Sequence, residues 1–286
     1  MSAPLSAWSE AELLEEVFAA PRSATLPVPD LRRIDRPGWV QLITPSFRTG
    51  GFNEVALSVL SDDEADAVID ATIAEYRALG IAFRWAVPPG SAPADLGARL
   101  VRRGLVESWG RGMARSTAVE AEPAAAPAGA DGKPAAAVAE ASDAAVDPAI
   151  AVAEVTDAAG AAAFTRVMAE GWGVDPAPLH LVHERLLADP DRRQRLFLAS
   201  VAGEPAGAAS YVAFPRSAYL LGAVVLPHLR GRGVYRALAR ARLADARARG
   251  IELATCHARE STSAPILERL GFATIRRFAI YFSSAP

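Results

Sequence analysis

The 286-residue sequence contains one cysteine, Cys256, and one lysine, Lys133. A single thiol excludes a disulfide framework and any cysteine-rich zinc site. Basic residues do not outnumber acids: 30 against 33 leaves a formal charge of −3. That balance argues against a dedicated nucleic-acid binder, whose footprint is a basic excess. No apolar run approaches the ~20 residues that span a bilayer, because Pro, Asp, Glu or Gly breaks every alanine-rich stretch. The opening residues lack a basic region followed by an apolar one. The expectation is a soluble cytoplasmic protein with neither a nucleic-acid nor a membrane partner. What is present is an ordinary globular composition, 51% hydrophobic and 22% charged. The length is natural for two domains at ~100–200 residues each.

A composition break runs over residues 116–148. It holds no aromatic residue, leucine or isoleucine, and Pro123, Pro127, Gly129, Gly132 and Pro134 punctuate it. Such a segment buries too little apolar area to offset its ordering entropy. It reads as a linker, mobile around 123–134, between domains at 1–115 and 149–286. In the first domain, Ser9 with acids just after it predicts a capped amphipathic helix. Strands are predicted over 39–43, 54–60, 81–87 and 105–113, and helices over 62–79 and 94–103. The second domain repeats this grammar. Strands are predicted over 150–154, 196–201, 206–214, 219–226, 251–256 and 272–282, with helices over 157–170, 176–188, 234–249 and 263–270. The segments L-V-R-R-G-L-V (100–106) and L-E-R-L-G-F-A (267–273) share a helix, a terminating glycine and an apolar strand start. They read as the trace of an internal duplication in an α/β protein of the α+β kind.

The most informative segment is L-G-A-V-V-L-P-H-L-R-G-R-G-V-Y-R-A-L, residues 221–238. It is an apolar strand, a basic glycine-rich turn and the start of a helix. The first N–H groups of a helix have no intrahelical partner, and the helix dipole favours negative charge there. Gly231 and Gly233 allow close approach of a ligand to the backbone. Arg230, Arg232 and Arg236 add charge, so the segment reads as a pyrophosphate-sized anion site. The dinucleotide and P-loop fingerprints are both absent.

Arg230-Gly-Arg-Gly233-Val-Tyr resembles the acyl-CoA-binding motif [QR]-x-x-G-x-[GA] of the GNAT N-acyltransferase superfamily. Tyr235 stands where that family has Gly or Ala. The strand before the motif and the helix ending in Leu270-Gly271-Phe272 fit the same family over residues 150–282. The first half, with G-F-N-E-V at 51–55, resembles more loosely the degenerate partner domain of tandem GNAT proteins and has no comparable turn. The resemblance implies tandem GNAT-like domains, each a central mixed, mostly antiparallel sheet flanked by helices. It implies acetyl-CoA as cosubstrate, no metal, and a small-molecule or peptide amine as acceptor. The backbone of Val224, Val225 and Leu226 would hold the pantetheine arm and polarise the thioester carbonyl. The N–H groups of Gly231, Arg232, Gly233, Val234 and Tyr235 would hold the pyrophosphate. The strands 219–226 and 251–256 would splay apart to admit the two substrates from opposite sides, for direct attack by the amine.

The resemblance leaves the proton-transfer groups open. The position where family members carry a general-acid tyrosine is Leu267, and strand 219–226 contains no acid. Three candidates remain. His257 has a suitable unperturbed pKa of about 6.5, with a surface histidine at a strand end as the competing reading. Glu260 has as its competitor an acid complementing a helix dipole. Tyr281 competes with plain core packing. Cys256 reads as a small buried hydrophobe. The loop 171–183 is expected to line the acceptor site, with Trp172 for stacking and Asp175 for an amine; Asp175 also reads as a helix cap. His180 and His183 have a spacing compatible with metal ligation, but no third ligand accompanies them. Two further readings compete: an acyl-CoA-binding sensor or interaction protein without transfer, and an acyltransferase with a different acyl donor.

Overall fold

The computed structural model describes residues 4–24, 26–48, 51–118 and 149–283. The predicted linker therefore lies, beyond residue 118, outside the described residues. The strands are β1 (Arg32–Arg36), β2 (Trp39–Ile43), β3 (Glu54–Ser58), β4 (Arg84–Val87), β5 (Val106–Ser116), β6 (Ile150–Glu154), β7 (Gln194–Val201), β8 (Glu204–Ala213), β9 (Ser217–Val225), β10 (Leu253–Arg259) and β11 (Ala273–Phe282). The helices are α1 (Glu10–Leu14), α2 (Ala20–Arg22), α3 (Ala65–Ala78), α4 (Leu96–Arg102), α5 (Ala158–Trp172), α6 (Pro176–Ala188), α7 (Val234–Ala248) and α8 (Ser263–Arg269), with a π-helical turn at Glu15–Ala19 joining α1 to α2. Among the described residues no helix is long and apolar enough to cross a membrane.

Local chemistry accounts for the ends of these elements. Ser9 and Glu12 form a reciprocal capping box at α1: the Glu12 N–H donates to the Ser9 hydroxyl and the Ser9 N–H to the Glu12 carboxylate. Asp157 caps α5, and Asp175 caps α6 just before Pro176. Alternation sorts the strands into two faces. In β2, Trp39 and Ile43 enter the core under α3 and α4, while Val40 and Leu42 face the other way. In β10, Ala254, Cys256 and Ala258 pack with α7 and α8, while Leu253 lies in the cluster with Trp8, Val17 and Phe18. One face of the sheet thus carries α3, α4, α7 and α8. The other carries the N-terminal segment, α5 and α6.

The eleven strands of the described residues form one sheet, in the order β1-β2-β3-β4-β11-β5-β10-β9-β8-β7-β6. Only β3–β4 and β9–β10 pair in parallel; the other neighbours are antiparallel. The tandem, mostly antiparallel architecture expected from the sequence is the one observed. The run β3-α3-β4-α4-β5 repeats as β9-α7-β10-α8-β11, each with a parallel pair flanking a crossover helix. The last strand of each run is exchanged. β5 pairs with β10 of the second half, and β11 pairs with β4 of the first. β5 and β11 pair with each other along most of their length. Buried Arg115 on β5 donates to the Leu270 carbonyl, tying the exchanged strand to the end of α8.

Two elements escape the sequence pattern. β1, R-R-I-D-R, has one apolar residue and forms only as an edge strand on β2. The π turn buries Val17 and Phe18 against Gly112, where a β-carbon would meet the Phe18 ring at 2.4 Å.

Candidate functional site

The parallel pair β9–β10 opens into a fork. Pairing runs from Ser217 against Leu253 to Leu220 against Cys256 and stops there. β9 continues to Val225 along β8 alone, and β10 continues to Arg259 along β5 alone. Beyond Leu220 and Cys256 the two strands no longer share a ladder. This is the splay that the sequence reading expected.

A β-bulge fixes the shape of the fork. Ala209 lies opposite Ala223 and Ser210 opposite Leu221, so Gly222 is the extra residue of β9. The bulge reverses the alternation. Leu220 and Ala223 face α7, while Val224 and Leu226 pack towards α5 and α6. Trp172, at the end of α5, lies over the bulge, 3.0 Å from where a Gly222 β-carbon would sit. The Leu221 carbonyl accepts from the Ser210 hydroxyl at 3.1 Å, and the Ser210 carbonyl accepts from Arg242 of α7 at 3.0 Å. Arg242 is buried, its Nε donating to the Leu238 carbonyl. Sequence reasoning missed this network, since neither residue belongs to a motif.

After β9 the chain makes a short turn at Pro227–Leu229 and enters α7 through Gly231 and Gly233. Both glycines are left-handed, at φ +80° and +90°. A β-carbon on Gly231 would meet nothing within 4 Å, so the turn is open to a ligand. Gly233 is the N-cap of α7 and supplies no side-chain cap, so the helix start is left to its own N–H groups. Arg230 donates to the Val225 carbonyl at 3.3 Å, holding the turn against the end of β9. Tyr235 packs its ring against the core under α7, where burial pushes its pKa up to about 12. The equivalent β3–α3 connection is chemically opposite. It carries Asp62, Asp63 and Glu64, and Asp62 and Asp66 pair with Arg99. Negative charge at that helix start repels a phosphate. An open hollow of about 540 Å³ adjoins the basic turn, between Arg166 and Glu170 of α5, the β7–β8 turn and His228 and Arg232.

On the α5–α6 face a cavity of about 430 Å³ lies between the two halves. The first unpaired residues of the fork, Leu221 and His257, both line it, with Tyr219 beside them. Glu54 and Arg84, on neighbouring strands of the first half, form an ion pair at 2.6 Å in its wall. Arg84 and Glu54 both act electrostatically on Tyr219, whose phenol is raised mainly by burial. His257 donates from Nε2 to the Val17 carbonyl at 2.9 Å. A carbonyl only accepts, so Nε2 carries the hydrogen and Nδ1 keeps its lone pair. The ring is exposed to the cavity, with Phe18, Phe278 and Tyr219 5.1, 4.8 and 5.3 Å away between centroids. Desolvation by these neighbours lowers its pKa to about 4, with Arg84 and Arg22 adding to the effect.

The other residues singled out in the sequence fall elsewhere. Both carboxylate oxygens of Glu260 are engaged, by Arg111 at 3.1 Å and Arg277 at 2.7 Å, which holds its carboxyl below the usual range. Tyr281 is buried in the cluster under α3 and α4 and donates to Glu107 at 2.8 Å. The structure does not bring His257, Glu260 and Tyr281 together. Asp175 is occupied as the cap of α6, accepting from the Ala177 N–H at 2.9 Å. His180 pairs with Glu184, while buried His183 bonds Thr165 at 2.7 Å. Among the described residues no group of three His, Cys, Asp or Glu is placed to hold a metal ion. Cys256 is buried, and its thiol is pushed up to about 12. Leu267 packs in the core beside α7. Glu54, Arg84 and Tyr219 carried no site signal in the sequence; the fold alone brings strands from both halves to one cavity.

Comparison with known proteins finds a family match over part of the chain. Residues 160–272 match the model of the Acetyltransferase (GNAT) family. No curated protein matches the chain. Among solved structures, a GCN5-related N-acetyltransferase from Kribbella flavida is similar at TM-score 0.59 and 16% identity, covering 95% of this chain and 96% of that one. A tandem GNAT protein from the clavulanic acid biosynthesis pathway is similar at TM-score 0.55 and 14% identity, covering 100% and 98%. A functionally unknown conserved protein from Staphylococcus epidermidis reaches TM-score 0.59 at 11% identity, covering 92% and 98%. At these identities the likeness is one of fold.

Proposed function

We propose that this chain, whose C-terminal half belongs to the GNAT acetyltransferase family and whose fold is that of tandem GNAT proteins, transfers an acetyl group from acetyl-CoA to a primary amine of a small molecule or peptide. The observation that carries this reading is the fork between β9 and β10. It has a left-handed basic glycine turn at one end and a cavity reaching its first unpaired residues from the other face.

In this reading the helix-start N–H groups from Gly231 to Tyr235, with Arg230, Arg232 and Arg236, hold the pyrophosphate. The backbone of Val224, Val225 and Leu226 lies along the pantetheine arm and polarises the thioester carbonyl. The amine enters from the cavity, its nitrogen lone pair attacks the thioester carbon, and the carbon–sulfur bond breaks as CoA thiolate leaves. Trp172, seated on the Gly222 bulge, keeps this part of β9 in shape. His257 is neutral at pH 7, with a lone pair on Nδ1. A base of that strength does not deprotonate a free ammonium. It accepts a proton once the nitrogen has bonded to carbon and its N–H has become strongly acidic. Glu260 and Tyr281 take no part in the transfer. The acidic β3–α3 connection gives the first half no donor site, so one acetyl-CoA binds per chain.

The test is free-thiol release from acetyl-CoA over a panel of primary amines, with the full chain and Gly233→Trp side by side. Turnover on any amine, lost in the variant, supports the reading. Saturable acetyl-CoA binding with no turnover on the panel overturns it in favour of an acyl-CoA sensor.

A further inference from the structure

We propose that the acceptor is an amine that also carries a carboxylate on an apolar body. The proposal takes from the reading above the position of the amine at the fork. The anion site itself rests on the cavity alone.

The cavity is lined by five arginines, Arg22, Arg84, Arg185, Arg192 and Arg193, and by three acids, Glu54, Asp189 and Asp191. The difference, 5 − 3, leaves two positive charges in excess. The distribution matters more than the sum. Glu54 is spent on Arg84, and Arg192 has Glu154 at 3.8 Å. Asp189 and Asp191 are exposed, in the loop after α6. Among the described residues no carboxylate lies within ion-pair distance of Arg22 or Arg185. Arg22 is half-buried and uses Nε on the Phe18 carbonyl at 2.8 Å; its terminal nitrogens form the open side of the fork-shaped guanidinium. Burial lowers its pKa, outweighing the opposing effect of the nearby Glu15 charge, as expected for a desolvated cation with no carboxylate in contact.

Arg84 and Arg22 both act electrostatically on His257; Arg84 is offset by Glu54, so the uncompensated positive field at the fork comes from Arg22. That field works on a bound acceptor in two ways. It repels a polycation. It also favours the neutral, nucleophilic form of an amine held at the fork. A carboxylate on the same molecule offsets the field and matches a guanidinium edge with two hydrogen bonds. Much of the remaining wall is apolar, with Leu26, Val28, Phe52, Leu221 and Phe278. A volume of about 430 Å³ suits a hydrophobic amino acid or dipeptide better than a long polyamine.

The test separates recognition from transfer. Binding of N-acetyl-leucine, N-acetyl-phenylalanine and leucyl-phenylalanine to the full chain is measured by calorimetry, against the corresponding carboxamides. Transfer to leucine, phenylalanine, their amides, phenethylamine and spermidine is measured with saturating acetyl-CoA. A charge-assisted contact gives roughly a 10–100-fold preference for acids over amides. Arg22→Gln is expected to reduce that preference to within about threefold, with KM for acetyl-CoA unchanged; Arg22→Lys restores part of it. Arg185→Gln, on an exposed helix position, is the second variant should Arg22→Gln not fold, and it too is expected to weaken the acids selectively. Amides bound as tightly as acids, no acid bound at all, or a preference untouched by both variants overturns the proposal. Preferential transfer to spermidine or phenethylamine overturns it while leaving the acetyltransferase reading intact. Arg22-dependent binding of acids without transfer to any amine supports the anion site and removes the acetyltransferase reading.

Discussion

His257 donates its Nε2 hydrogen to the carbonyl oxygen of Val17, 240 residues earlier in the chain, at 2.9 Å. The contact joins the first unpaired residue of β10 to the π-helical turn of the N-terminal segment, and it fixes which ring nitrogen faces the cavity. The expected consequence is that His257→Ala lowers kcat on amines by about 10²–10⁴-fold, the usual range for a proton-transfer group. KM for acetyl-CoA should stay near wild type. His257→Gln, whose Nε2 amide can still donate to Val17, should fold normally and be equally impaired. Full activity in His257→Gln would remove the residue from the chemistry.

Buried His183 sets an acid limit on stability. It is 5% exposed, and burial lowers its pKa to about 4. The folded value lies below the unfolded value of about 6.5, so the unfolded chain binds more protons between them. Stability should be full above pH 6.5 and fall as pH drops towards 4, by on the order of 3 kcal/mol for His183 alone. Urea midpoints at pH 7.5 and 5 measure this, and His183→Gln should flatten the dependence.

Ser210 and Arg242 satisfy backbone groups that the Gly222 bulge removes from regular pairing. Arg242→Met strips a buried carbonyl of its partner, at a cost of about 1–3 kcal/mol in urea unfolding. Because the bulge shapes β9, KM for acetyl-CoA should rise together with the loss of stability. A loss of stability with KM unchanged would limit Arg242 to a packing role.

The exchanged strands bear on any attempt to isolate the second half. Residues 149–286 lack both β4 and β5, so β10 is left with one unpaired edge and β11 with neither of its strand partners, and the Met113 side chain is missing from the core beneath α8. This fragment should aggregate or lack a cooperative melt. A soluble, monodisperse fragment as active as the full chain would show that β5 is dispensable.

Much of this was legible in residues. Helices announced by a terminating glycine, such as α4 before Gly104 and α8 before Gly271, came out at the expected places, and the basic glycine turn stood out because its chemistry is local in sequence. The exchange of β5 and β11 was not legible. Neither strand carries a residue pattern that selects one neighbour over the other, and only three-dimensional packing decides between them. The cavity was hidden for the same reason: Arg22, Glu54, Arg84 and His257 lie on four separate elements, and no spacing in the chain links them. Asp175 and Glu260 show the converse. Each has the residue type a site needs, but the first serves a helix start and the second two arginines.

The most direct measurement is calorimetric titration of acetyl-CoA into the full chain, beside Gly233→Trp. A side chain at φ +90° strains the turn and covers the helix-start N–H groups. The account expects saturable binding at one site per chain, abolished in the variant while its melting remains cooperative. No saturable binding, or binding that survives in Gly233→Trp, would contradict it.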